Sequence, residues 1–253
     1  MIVSVCGKGG SGKSVLTALL AQEARNRGYA VFVVDADESN SGLYGLLGLE
    51  GPPRPLMDFL GGKEAVKEGM GGGNVLARER VSPASLPEEY VRAEANLRLA
   101  AVGKIHQALE GCACPMGVLA REFLRKLELG PEEIAFVDME AGVEHFGRGV
   151  EEAVDFVVLA VEPSLESLQL AARIRELASG MGKNTGAVLN KVSSSEWGEK
   201  MRQWLADRGV SVLGSLPEDP SIFEACLEGQ TIGGSSAAEA VTPILDRLLD
   251  TPT

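Results

Sequence analysis

Short apolar runs alternate with stretches of helical period along most of the chain. IVSVC (2–6), AVFVVDAD (30–37), LRLAAV (97–102), IAFVDM (134–139), FVVLAV (156–161), GAVLNKV (186–192) and VSVLGSL (210–216) are all of strand length, and none alternates strictly between apolar and polar. A strand that is apolar at successive positions is buried on both faces, which is the condition of a parallel sheet covered by helices. Apolar residues recur at helical spacing over 14–27, 116–128, 165–180 and 196–208. The pattern predicts an α/β fold: a doubly wound, mostly parallel sheet flanked by helices, in one domain spanning 1–253. Residues 51–96 interrupt it with the breakers GPPRP and GMGGGN, and read as an insertion carrying a helix or two. Ligands of such sheets sit beyond the carboxyl ends of the strands, so the chemistry is expected in the residues that follow each apolar run.

Composition narrows the function. The net charge is −12, and no basic run is visible. A nucleic-acid partner needs clustered cations to displace counterions, and a membrane-surface helix needs Lys and Arg beside its apolar face; neither partner is expected. The longest apolar runs, such as FVVLAVE (156–162), are too short to span a bilayer. MIVSVCGKGG has no basic n-region or cleavage site, so no signal peptide is expected and the expected location is the cytoplasm. In a reducing compartment, closely spaced cysteines serve more often as metal ligands or redox thiols than as structural disulfides.

GKGGSGKS (7–14) follows the first strand and opens the first helix. It holds G-x-G-x-x-G in Gly7, Gly9 and Gly12, and completes G-x-x-x-x-G-K-[ST] with Lys13 and Ser14. With Gly10 and Ser11 between them, these glycines let backbone N–H groups turn inward as an anion nest, and the helix N-terminus adds partial positive charge. Lys13 can reach the β- and γ-phosphates, and the Ser14 hydroxyl suits Mg²⁺. Asp138 ends the apolar strand IAFVDM at the position that holds the Mg²⁺ shell in nucleotide hydrolases, and Gly142 beyond it lets a switch segment close.

Lys8 is a second lysine that the loop does not need for its own phosphates. G-K-G-G-x-G-K-[ST] resembles the deviant Walker A group of P-loop ATPases, which includes MinD, ParA, the nitrogenase iron protein and metal-cluster carriers. That resemblance implies that Lys8 crosses a homodimer interface to the partner's nucleotide. It also implies that Asp37, in VVDADESN, orients the attacking water, leaving Asp35 as a turn or cap residue. LNKVSS (189–194) resembles the guanine motif N-K-x-D but has Ser193 in place of its aspartate, which favours ATP over GTP. SLPEDP (215–220) resembles the adenine-side loop of the same ATPases, and implies base contacts from Asn190, Pro217 and Asp219.

GCACP (111–115) places Cys112 and Cys114 in the loop after LRLAAV, with Pro115 starting a helix. A thiol at a helix N-terminus is favoured as the thiolate, the metal-binding form. Two small residues without chemistry, a strained disulfide, an open two-sulfur chelate, or four thiolates shared by two chains all fit the spacing. The last suits the dimer implied by Lys8, and would accept Ni²⁺, Zn²⁺ or an Fe–S cluster. The lysine-bearing loop, the C-x-C and DMEAGVEHFGRG (138–149) together resemble the CooC-type maturation ATPases. The resemblance runs through nearly the whole chain. It implies a homodimeric ATPase that binds metal through Cys112 and Cys114 and assists nickel insertion into carbon monoxide dehydrogenase. The alternative is a nucleotide-gated Fe–S carrier or electron donor like the nitrogenase iron protein. That protein needs a further cysteine after Asp138, and this chain has MEAGVEH there instead. His145 reads as a switch-segment residue, His106 as ordinary, and Cys6 and Cys226 as buried small residues.

Overall fold

The computed structural model describes residues 1–39, 42–70, 79–104 and 114–251. Eight strands form one sheet: β1 (Ile2–Gly7), β2 (Ala30–Asp35), β3 (Arg92–Glu94), β4 (Leu97–Ala101), β5 (Glu133–Asp138), β6 (Phe156–Val161), β7 (Asn184–Val192) and β8 (Val212–Pro217). Their order is β3-β4-β2-β5-β1-β6-β7-β8, parallel throughout except for the antiparallel edge pair β3 and β4. The doubly wound α/β architecture is the expected one.

Both faces of the sheet are buried, which is why its strands are apolar without alternation. On one face, Val3 and Val5 pack with Leu16 and Leu20 of helix Lys13–Asn26 and with Ile244 and Leu248 of helix Ser236–Leu249. On the other, Ile2 and Cys6 pack in a core with Leu119 and Phe123 of helix Cys114–Lys126. The rings of Phe123 and of Phe32 on β2 meet there at 6.2 Å between centroids. Burying such a pair stabilises the fold and fixes the helix on the sheet.

Register decides where the site lies. Val5 and Asp35 both pair with Asp138, and Gly7 pairs with Ala160. The carboxyl ends of β2, β5, β1 and β6 therefore finish together, and chain order reverses at β1. That is the switch point at which open α/β sheets bind ligands.

Two parts differ from expectation. The stretch 51–96 holds the expected short helices (Leu56–Phe59 and Gly62–Met70), but also the edge strand β3, which at three residues is too short to show a period. Helix Ser236–Leu249 was not anticipated, and Pro243 stands inside it. Its buried positions Ala237, Val241, Ile244, Leu245 and Leu248 nonetheless follow helical spacing.

Candidate functional site

The loop between β1 and helix Lys13–Asn26 is built to receive an anion. Gly12, the residue before the helix, has φ +89°, and a Cβ there would strike the Asn190 amide, so only glycine fits. No side chain caps the helix and no acid sits in its first turn, which leaves the first N–H groups and the positive end of the dipole for a ligand. Lys13 is only 6% exposed, and among the described residues nothing pairs with its ammonium. It lines a cleft of about 420 Å³ together with Gly9, Gly12, Ser14, Asp37 and Ala141. A cation with no ion pair among the described residues, beside an uncapped helix end, favours the entry of an anion.

The Ser14 hydroxyl donates to Asp138 Oδ2 at 2.6 Å, joining the loop to the end of β5. Asp138 is fully buried, and burial pushes its carboxyl up to about 7; neighbouring Asp35 adds to the rise, while Ser14 and Lys13 oppose it. Burial likewise lifts Asp35 to about 6 against the pull of Lys104, whose Nζ sits 2.6 Å from Asp35 Oδ2. Both groups start from 3.8 in the unfolded chain, so between about pH 4 and pH 7 the folded state holds protons that the unfolded state has lost. Their contribution to stability is complete below about pH 4 and is lost as pH rises through about 7. Asp138→Asn, free of metal and nucleotide, is therefore expected to exceed the wild type in stability at pH 8 by at least about 1 kcal/mol, and not at pH 4. Denaturant unfolding at the two pH values measures this; no gain at pH 8 would contradict the assigned burial.

Asp37 lies at the cleft, 8% exposed. Its Oδ1 accepts from the Ser39 amide at 2.9 Å and the Ser39 hydroxyl at 2.6 Å, a turn that aims the segment at the phosphate loop. Asp35 was expected as a turn or cap residue but ends β2, and its Oδ1 accepts from the Asp37 amide at 3.2 Å. Lys104 joins the two aspartates by donating also to the Asp37 carbonyl.

Lys8 does not line its own phosphate cleft. Its ammonium lies 3.1 Å from Glu162 and 3.2 Å from Glu166, beyond the end of β6. Glu162 also pairs with Lys191 at 3.1 Å.

A second cavity of about 290 Å³ adjoins the first across Gly10, Gly12, Val15 and Cys226, and is lined by Asn190, Pro217 and Asp219. Asn190 is buried, and its amide donates to the Ser11 carbonyl at 2.8 Å, tying β7 to the phosphate loop. Lys191 follows at φ +56°, a conformation unusual for a side-chain-bearing residue and typical of functional loops. The Asp219 carboxylate is fully engaged, taking the amides and hydroxyls of Ser221 and Ser236 at 2.6–2.9 Å, which holds its pKa far below the usual range. Asp219 thus caps the start of helix Pro220–Glu228, and only its backbone is left to meet a base.

Cys112 and His106 lie outside the described residues, and Cys114 is described only as the first residue of helix Cys114–Lys126. Cys6 is buried as expected, but Cys226 is exposed, at the lip shared by both cavities. Its helix, Pro220–Glu228, buries none of its residues, so a small apolar residue type misled there. Glu162, Lys104 and Lys191 were not anticipated. All three lie at or just beyond the end of an apolar run, so the rule of strand carboxyl ends could have found them.

The model of the CobQ/CobB/MinD/ParA nucleotide binding domain matches residues 2–232. The chain belongs to this family. It is an ATP-binding ATPase of the MinD/ParA class. An uncharacterized ATP-binding protein of Methanocaldococcus jannaschii is 40% identical over 253 residues, covering 98% of this chain and 100% of that protein. The carbon monoxide dehydrogenase accessory protein CooC of Rhodospirillum rubrum is 34% identical over 235 residues, covering 89% and 86%. The septum site-determining protein MinD of Pyrococcus horikoshii, complexed with Mg-ADP, superposes with a TM-score of 0.72 at 20% identity, over 98% of this chain and 96% of that one, and so shares its fold. Among the described residues, no helix of this MinD/ParA-class ATPase is long and apolar enough to cross a membrane.

Proposed function

We propose that this MinD/ParA-class ATPase is a homodimeric metallochaperone. It binds a metal cargo through Cys112 and Cys114 of both chains and assists nickel insertion into carbon monoxide dehydrogenase or a related nickel enzyme. The likeness to CooC supports the client class, and one structural observation carries the coupling. The helix that begins at Cys114 packs on the segment that follows Asp138: a Cβ at Gly117 would strike the Arg148 side chain, and Arg121 donates to the Arg148 carbonyl at 3.3 Å. Arg148 in turn donates to Glu140, two residues beyond Asp138. A change at the γ-phosphate end of β5 therefore has a packed route to the C-x-C pair.

ATP occupies the two adjoining cavities, its phosphates on Gly9, Gly10, Gly12 and Lys13. Ser14 and Asp138 would hold Mg²⁺, which supplies charge neutralisation to the phosphate oxygens. Lys8 leaves Glu162 and Glu166 and reaches the partner's nucleotide. The two chains close, and the C-x-C segments meet as one four-thiolate cargo site. Hydrolysis, with Asp37 orienting the water, removes the contacts that hold the closed state and opens that site.

Anaerobic elemental analysis after incubation with Ni²⁺ tests the cargo site. The wild type is expected to retain about one nickel per dimer more than Cys112→Ser/Cys114→Ser. Iron with acid-labile sulfide on the same cysteines would replace the nickel reading with a cluster carrier. Identical nickel retention in the double variant would remove Cys112 and Cys114 from the account.

A further inference from the structure

Beneath the phosphate loop lies a side-chain cluster that the ATPase chemistry does not use. Cys6 is the residue before Gly7, at the inner end of β1. His145 lies in the short helix Glu144–Gly147, and Glu151 in the turn Val150–Ala153. They are 0%, 1% and 0% exposed, and their ligand-type atoms all lie within 4.8 Å of one another. His145 Nδ1 contacts Glu151 Oε1, yet His145 Nε2 and Glu151 Oε2 are buried and without a partner among the described residues. Leaving two such atoms unsatisfied inside a core is expensive, and apolar residues would serve packing better. The arrangement calls for something that accepts lone pairs from sulfur, nitrogen and oxygen together.

We propose that Cys6, His145 and Glu151 form a second, fully buried cation site that takes one borderline divalent ion of the zinc class. The donor set decides the class. Thiolate, imidazole and carboxylate are the ligands of Zn²⁺ and its transition-metal neighbours, whereas Mg²⁺ and Ca²⁺ take oxygen. Charge agrees: one thiolate and one carboxylate balance one divalent cation, so the core gains no net charge. Without a cation, burial and then Glu151 hold the Cys6 thiol well above its ordinary pKa. Loading therefore forms a sulfur–metal bond and releases the thiol proton to solvent. The Ser4 hydroxyl lies 3.7 Å from Cys6 Sγ, beside the donor set.

The site would clamp the segment after Asp138 to the strand that feeds the phosphate loop. The Gly142 amide already donates to the Gly7 carbonyl at 3.3 Å, so the two backbones touch. This site is independent of Cys112 and Cys114, and its occupant is resident rather than cargo.

The full-length Cys112→Ser/Cys114→Ser variant isolates it. After anaerobic equilibration with Co²⁺ and desalting, that variant is expected to hold about one cobalt per chain, with a thiolate-to-cobalt charge-transfer band. Adding Cys6→Ala should abolish the band and weaken cobalt binding at least about tenfold; adding Glu151→Gln, which keeps the side-chain shape, should also weaken it at least about tenfold. Thermal unfolding establishes that each variant is folded, and the parent double variant needs no change in the core. No stoichiometric cobalt in the double variant, or a band that survives Cys6→Ala, overturns the proposal. The two metal readings fail separately: cobalt bound by the wild type and absent from the double variant overturns this site and leaves Cys112 and Cys114 standing. Equal binding by both, lost with Cys6→Ala, supports this site and removes the other.

Discussion

Lys13→Ala is expected to lower ATP turnover at least about 10²-fold, the scale seen when one preorganised donor to a developing charge is removed. The reason lies in its surroundings. The side chain is 6% exposed, lines the cleft, has no ion-pair partner among the described residues, and stands at a helix end that no side chain caps. Its attraction for a phosphate is therefore exerted where water screens little, and removing it leaves only the N–H groups of the loop. The shortened side chain leaves β1 and its register untouched, so folding should survive. Phosphate release in steady state, with nucleotide binding measured alongside, reads the result. Turnover at the wild-type rate would mean that the cleft at Gly9–Ser14 is not where ATP is hydrolysed.

Lys8→Ala is expected to abolish turnover on a similar or larger scale while leaving ATP affinity of the single chain within about threefold, as befits a charge that acts on the transition state rather than on binding. The geometry favours this division of labour. Lys8 faces Glu162 and Glu166 outside its own cleft, and Glu166 is largely exposed, so these pairs are weak enough to be exchanged for a partner's phosphates. Mixing settles the direction of reach. In a Lys8→Ala/Lys13→Ala heterodimer, the chain with intact Lys13 receives Lys8 from its partner and one of two sites works. An equal mixture of the two inactive proteins should recover about a quarter of wild-type turnover if the chains pair at random. No recovery, in a mixture shown to contain heterodimers, would place the action of Lys8 within its own chain.

What was legible in the sequence followed burial. Residues 7–14 and Asp138 stood out because each follows a continuous apolar run, and such runs form central parallel strands whose ends converge. Asn190 and Pro217, which the resemblance of SLPEDP to an adenine-side loop implied as base contacts, line the second cavity. Residues whose partners lie far along the chain were not legible. Lys8 and Glu162 are 154 residues apart, and Lys104 and Asp35 are 69 apart. Nothing local announces such a pair. Residue type misled where tertiary packing decides. Cys226 belongs to a helix that also leaves Phe223 and Leu227 at 71% and 77% exposure, an apolar face that composition alone reads as core. Asp219 lines the second cavity, and one of the contacts that engage its carboxylate, from Ser236, lies 17 residues away and has no local signal. His145 was read as a switch residue, and its company of Cys6 and Glu151 follows only from β1 packing against the segment after β5.

The proposed function turns on one coupling, in which the nucleotide state would set the affinity of the cargo site. Ni²⁺ binding to the wild type, measured anaerobically by competition with a chromophoric chelator, tests it most directly, once with a non-hydrolysable ATP analogue and Mg²⁺ and once with ADP and Mg²⁺. Communication through Arg148 and helix Cys114–Lys126 predicts nickel affinities that differ at least about tenfold between the two states, within the usual range of allosteric coupling. The difference should vanish in Cys112→Ser/Cys114→Ser. Equal nickel affinity in both nucleotide states of the wild type would contradict the account, leaving an ATPase whose hydrolysis does not govern metal.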